Sequence, residues 1–152
     1  MSGAQVPADG DYVRRVRKSA AGQKVLSLIG ARLVHVGPGE VDLEFDHSPD
    51  LTQQHGFIHA GILSTVLDSA CGYAAYSLMP ADAGVLTIEF KINLLSPARG
   101  ERFVARGRVT KPGRVITVAD GTLVAISADG EKPIATMTGT LMTVRDRETV
   151  RG

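Results

Sequence analysis

Several absences narrow what this 152-residue chain can be. It has one cysteine, no tryptophan, three tyrosines and four phenylalanines. A lone Cys71 cannot form an internal disulfide and belongs to no metal-binding cysteine spacing, so a reducing, cytoplasmic setting is expected. There is no surplus of charge: 17 Lys and Arg stand against 16 Asp and Glu, a formal net charge of +1. A nucleic-acid partner would want a clearly basic face, and none is expected here. No glycine-rich phosphate loop of the P-loop or dinucleotide type is present. Neither a Gly-x-Ser-x-Gly nucleophile elbow nor a metal-ligand cluster occurs, so no metal and no bound cofactor is expected. Residues 1–10 (MSGAQVPADG) lack the basic start and apolar run of a secretory leader. The apolar stretch from Ala60 to Met79 is interrupted by Asp68, Ser and Gly and lacks basic flanks, which argues against a membrane span.

What is present is organised around residues 53–79, QQHGFIHAGILSTVLDSACGYAAYSLM. From His59 to Met79 the pattern predicts one long helix whose only charged residue is Asp68. A surface helix carries an apolar stripe and a charged face. This one is apolar or small almost all round and should be buried on most sides. A carboxylate in such a helix needs a partner, a shifted pKa or a chemical task.

Around that helix the chain reads as one domain, with residues 1–10 and 145–152 as loose tails. A short basic amphipathic helix is predicted from Val13 to Gln23, with Asp11 capping its start and Arg14, Arg15, Arg17 and Lys18 on its wet face. Lys24 to Gly30 is a short apolar plug. Residues 31–36 and 40–45 alternate as two strands of a hairpin around Gly37-Pro38-Gly39. His47 to Gly56 is a polar loop, the kind of segment where functional groups sit. After the long helix, four more strand-like segments follow. In the first, Leu86, Ile88, Phe90, Ile92 and Leu94 alternate with Thr87, Glu89, Lys91 and Asn93, which predicts two opposite faces. Helix and strands are segregated, so the class is α+β: an antiparallel sheet of five or six strands wrapped around one central helix.

This layout, with Gln53-Gln54-His55-Gly56-Phe57-Ile58-His59-Ala60-Gly61 leading into a helix that carries Asp68, resembles the hotdog-fold acyl-CoA thioesterases. The nearest likeness is to the phenylacetate-pathway (PaaI-like) subfamily. It covers most of the chain and includes the Ser-Pro turn Leu95-Ser96-Pro97-Ala98-Arg99-Gly100. The resemblance implies hydrolysis of an acyl-CoA thioester, with coenzyme A as part of substrate and product. It also implies a homodimer, commonly paired again into a tetramer, whose long helices run antiparallel and build each site from both chains.

Thioester hydrolysis needs a polarised carbonyl, a base or nucleophile, and water. The N–H groups of Ala60 and Gly61, with the helix dipole behind them, suit a developing oxyanion. In the family this donor follows the motif His59, and His-Ala-Gly stands here for the usual His-Gly-Gly. Asp68 matches the family's acidic residue and could attack directly or activate water. Gln53 matches the amide that orients water or touches the carbonyl, with Gln54 as its competitor. His59 is expected to order the helix start, and His55 is a weaker candidate. Thr87 matches a hydroxyl position that helps hold the water, and Gly72 one where some relatives carry a hydroxyl. Phe57, Ile58, Ile62, Tyr73 and Tyr76 suggest walls for an aryl or medium-length acyl group. Arg99, Lys111 and Arg114, in turns at strand ends, are candidates for the CoA phosphates. Two other readings stay open: a hotdog enoyl-CoA hydratase or dehydratase, and an acyl-CoA sensor without turnover.

Overall fold

The structure is a computed structural model, and it describes residues 3–150. Two short helices come first, α1 (Tyr12–Gly22) and α2 (Lys24–Ile29), then the hairpin β1 (Arg32–Gly37) and β2 (Glu40–Asp46). The long helix α3 (Ala60–Tyr76) follows, then strands β3 (Gly84–Leu94), β4 (Arg102–Lys111), β5 (Ile116–Ser127) and β6 (Gly130–Val144). The strands form one antiparallel sheet in the order β1-β2-β4-β5-β6-β3. The expected architecture, six strands curved around one central helix, is what forms.

α3 sits against the sheet because both surfaces are made of small groups. Leu63, Val66, Leu67, Ala70, Cys71 and Ala74 are buried on it. Of these, Ala70 and Cys71 meet Gly107 on β4, and Leu67 and Cys71 meet its cross-strand partner Gly121 on β5. A Cβ at Gly107 would lie 2.7 Å from the Cys71 nitrogen and closer still to the Ala70 carbonyl. Backbone meets backbone there, so no side chain can be accommodated without moving the helix. Beyond this contact the core is apolar, including a stacked Phe45–Phe103 pair with ring centroids 5.1 Å apart. Among the described residues, no helix is long and apolar enough to cross a membrane.

Some local expectations are corrected. Asp11 occupies the cap position of α1 but makes no side-chain cap bond; its carboxylate pairs with Arg14 at 2.8 Å instead. Arg15 does not lie on the wet face. It is folded inward, pairs with Asp9 at 2.9 Å, and donates to the Tyr76 and Met79 carbonyls at the end of α3. Its guanidinium lies 4.2 Å from the Tyr76 ring centroid. A cation placed on the last carbonyls of a helix opposes the negative end of its dipole. The segments expected as loose tails also touch the body. Gln5 donates to the Val109 carbonyl, and the Val150 carbonyl lies so close to Gly84 that a Cβ there would be 2.5 Å from it. Residues 1, 2, 151 and 152 of those tails lie outside the described residues.

The alternation expected along β3 is also broken. A bulge falls between Thr87 and Glu89, so Ile88 has no partner in the ladder. Thr87 is paired with Leu141, which is fully buried, while Glu89 is paired with Thr140. A one-residue slip in a strand exchanges its faces. Thr87 therefore shares the helix-facing side with Phe90 and Ile92, not the polar side with Glu89, Lys91 and Asn93.

The glycine contact gives a direct stability test. Gly107→Ala should destabilise the protein by about 3 kcal/mol, as overpacking against backbone does. Gly22→Ala, which meets nothing within 4 Å, should be neutral or stabilising by up to about 1 kcal/mol. Urea unfolding at one fixed protein concentration checks both, and equal effects would contradict this packing.

Candidate active site

The start of α3 is set by a short structured loop. Gln53 accepts from the Gly56 N–H through its carbonyl at 3.0 Å and donates its own N–H to Phe57 O at 2.9 Å. Gly56 supplies the positive φ of 85° that this turn needs. The chain then turns into the helix at His59, the N-cap residue. His59 Nδ1 accepts from the Gly61 N–H at 2.8 Å, which leaves its proton on Nε2 when the ring is neutral.

That bond separates two groups the sequence treats alike. The Gly61 N–H is occupied by His59, whereas the Ala60 N–H has no acceptor among the described residues. Ala60 is thus the open donor at the positive end of the helix. It lines a cleft of about 570 Å³ with Gln53, His59, Leu63, Leu94 and Pro97. Gln53 holds the His55 N–H on its Oε1 at 2.5 Å, so its Nε2 remains the group able to donate. Phe57 and Ile58 also line this cleft. Arg99 lies just outside it, 5.3 Å from the Phe57 ring centroid, in a neighbouring depression with His47 and His55.

Asp68 lies in a different cleft of the same chain. It is eight residues beyond Ala60, about 12 Å along the helix axis. Thr87 Oγ1 donates to Asp68 Oδ1 at 2.8 Å, a contact that exists because of the β3 bulge. Burial pushes the Asp68 carboxyl above the ordinary aspartate value, and the Thr87 hydrogen bond draws it partly back. This second cleft, about 400 Å³, also holds Gly72, Tyr73 and Tyr76. Val150 of the C-terminal segment forms part of its wall.

The predicted residues therefore fall into two groups along α3: Gln53, Phe57, Ile58 and His59 of the preceding loop with Ala60 and Gly61 at its start, and Asp68, Gly72, Tyr73 and Tyr76 from its middle to its end with Thr87 of β3 beside them. Ile62 is half-buried against the core and lines neither cleft. Of the basic candidates, only Arg99 is near the helix start. Lys111 ends β4, and Arg114 lines a pocket with Ala75, Leu78 and Met79 at the other end of α3. Sequence reasoning missed Ser19, Gln23 and Ser69, which line the Asp68 cleft. Cys71 lies one turn from Asp68 but is 1% exposed, and burial pushes its thiol up to about 12. It is held as an inert thiol. Among the described residues, no group of three His, Cys, Asp or Glu side chains is placed to hold a metal ion.

The comparisons with known proteins fit this geometry. The sequence pattern of the Thioesterase superfamily matches residues 55–129, from the loop before α3 to the turn after β5. A Halobacterium salinarum protein with a provisional esterase name is 32% identical over 80% of this chain and 85% of its own length. The solved structure of a thioesterase family protein from Silicibacter pomeroyi is 56% identical, with a TM-score of 0.86 over 88% of this chain and 98% of that one. The chain belongs to the thioesterase superfamily. In overall fold this thioesterase also matches the PaaI protein of the E. coli phenylacetic acid degradation operon. The TM-score is 0.78 at 17% identity, over 88% of this chain and 94% of PaaI. That likeness is one of fold, the hotdog fold.

A carboxyl raised by burial binds its proton more tightly folded than unfolded. Its ionisation then costs stability as pH rises from the ordinary value of 3.8 through the folded value. Asp68→Asn should therefore raise the melting temperature at pH 7, and the gain should vanish below about pH 4. Scanning calorimetry at matched concentration measures this; a lower melting temperature at pH 7 would show that the ionised carboxylate is stabilised, not strained.

Proposed function

We propose that this thioesterase hydrolyses acyl-CoA thioesters to a free acid and CoA, at sites each completed by two copies of the chain. The observation that carries the reading is a division of labour along α3. One end offers an N–H with no acceptor among the described residues, on the helix dipole; the middle offers a desolvated carboxylate, and a rigid helix keeps them about 12 Å apart. In an antiparallel pair of helices the two meet, Asp68 of one copy facing Ala60 of the partner subunit.

The surface available for such pairing supports it. β3 is an edge strand, and Leu86, Ile88, Phe90 and Leu94 on it are exposed. An edge strand with large apolar side chains exposed on it is a place for another chain to pack. Beside it, Gly61 is exposed and Ser64, Thr65 and Asp68 are only part-buried. A further pairing of dimers into a tetramer belongs to the same reading.

In the reaction, the thioester carbonyl oxygen accepts from the N–H of the partner's Ala60, with Gln53 close enough to the helix start to help orient it. Asp68 takes a proton from water as the water oxygen bonds to the carbonyl carbon. Thr87 holds Oδ1, leaving Oδ2 for that proton. Negative charge collects on the carbonyl oxygen, where the helix end stabilises it. Collapse breaks the C–S bond, and the proton held by Asp68 goes to the departing CoA thiolate. A raised pKa makes Asp68 a better base than an ordinary aspartate. No step calls for a metal or a redox cofactor. Arg99 is the cation best placed to meet a phosphate outside the helix-start cleft. The hydratase alternative would want a histidine aimed at the acyl chain; the histidine lining the helix-start cleft, His59, is tied through Nδ1 to the Gly61 N–H. Aryl and medium-length acyl groups suit the part-apolar clefts, and a cytoplasmic location suits a CoA substrate.

Proline is well tolerated at the first residue of a helix and has no N–H. His59 already has φ −63° and ψ 139°, as a residue before proline requires. Ala60→Pro should therefore fold normally and lower kcat about 100-fold or more on benzoyl-, phenylacetyl- or hexanoyl-CoA. Asp68→Asn should fold and lose nearly all thiol release. Full turnover by either variant would overturn the reading. Tight binding of every thioester by the wild-type protein without release would assign a sensor instead.

A further inference from the structure

A third cavity, of about 370 Å³, lies at the C-terminal end of α3 and shares no lining residue with either cleft of the proposed reaction. Its volume is within the range of small-ligand sites, roughly 300–1,000 Å³. The walls are mostly apolar. Ala75, Leu78 and Met79 come from the end of α3 and the turn after it, Val6 from the N-terminal segment, and Pro112 from the connection between β4 and β5. The N-terminal wall is tied down: Gln5 Nε2 donates to the Val109 carbonyl at 2.9 Å and the Ala8 N–H to the Leu78 carbonyl at 3.3 Å.

The polar groups of this cavity are all short of partners. Thr143 lines it, and its Oγ1 is buried with no hydrogen-bond partner among the described residues. A buried hydroxyl left in that state is costly and calls for a partner. Arg114 also lines the cavity and makes no ion pair or side-chain hydrogen bond among the described residues. Arg145 reaches a carboxylate, Asp82, only at 3.9 Å. No Asp or Glu lines the cavity. The carbonyl end of a helix would repel an anion here, but Arg15 already holds the Tyr76 and Met79 carbonyls.

Apolar walls, two arginines without a close counter-charge and a buried hydroxyl without a partner describe one ligand chemistry. We infer that the cavity binds a small amphipathic carboxylate, a medium-length alkyl or aryl acid. Its apolar body would lie on Val6, Leu78 and Met79. Arg114 and Arg145 would meet the carboxylate, as guanidinium forks do, and the Thr143 hydroxyl would donate to one of its oxygens. The free acid released by the proposed hydrolysis belongs to this class, but binding here does not depend on that reading.

The test titrates octanoate, octan-1-ol and free CoA separately into the full chain, with the methyl NMR signals of Val6, Leu78 and Met79 reporting the place. Octanoate should shift these signals saturably, one per chain, and octan-1-ol should bind at least about tenfold more weakly, the scale of a charge-assisted hydrogen bond. Arg114→Gln should weaken octanoate about tenfold. Thr143→Val should weaken it about fivefold while raising the melting temperature of the free protein, because it removes a buried hydroxyl that has no partner. Equal binding of the alcohol, or unchanged octanoate affinity in both variants, would overturn the inference. So would octanoate shifts confined to Val85 and Val150 in the Asp68 cleft. Displacement of octanoate from Leu78 and Met79 by free CoA would assign the arginines to the nucleotide of the substrate and overturn a separate site.

Discussion

A helix is a ruler, and the eight-residue step from Ala60 to Asp68, about 12 Å, cannot be shortened. That constraint governs the rest of the molecule. The sheet wraps α3 closely: Gly107 meets the backbone of Ala70 and Cys71, and Gly121 meets the Leu67 and Cys71 side chains. It also has to leave one flank of α3 uncovered, the flank with Gly61, Ser64, Thr65 and Asp68. The edge strand β3, with Leu86, Ile88, Phe90 and Leu94 exposed, borders that flank, and in the proposed dimer it packs against the second copy. The lone charge in the helix, odd for a single chain, is sensible when another helix start faces it.

The same economy appears in the electrostatics. Asp68 is raised by burial and lowered by one hydroxyl. A carboxylate with more hydrogen bonds would be a weaker base, and one with none would cost more to keep ionised. Thr87 is placed between these limits by a single extra residue in β3. At the helix start, His59 takes the Gly61 N–H, and that of Ala60 is left without an acceptor among the described residues, free for the carbonyl of the proposed reaction.

Much of this was legible in the sequence. The uncharged run from His59 to Met79 marks α3 because burial on all sides tolerates no charged face, and Asp68 stands out against it. The strands show through their alternation. What stayed hidden depends on contacts between distant residues. The bulge at Ile88 inserts one residue into a pattern of period two and leaves no trace in residue type, so Thr87 reads as belonging to the wrong face. Arg15 looks like any surface arginine until the carbonyls of Tyr76 and Met79 are placed beside it. Ser19 and Gln23 lie about fifty residues from Tyr73 and look like ordinary polar residues of an amphipathic helix. Ala60 and Gly61 are equivalent in sequence, and only the ring position of His59 separates them.

The central claim is that Ala60 and Asp68 of one chain serve different sites. Mixing the two inactive variants tests it most directly. Ala60→Pro and Asp68→Asn chains, denatured together in equal amounts and refolded, should form hybrid dimers in which one of the two sites is intact. The mixture should recover about a quarter of wild-type thiol release, since half of randomly paired dimers are hybrids. Thiol release no greater than that of the separate variants, with hybrid dimers demonstrated by mass spectrometry, would contradict the shared site and return both residues to one chain.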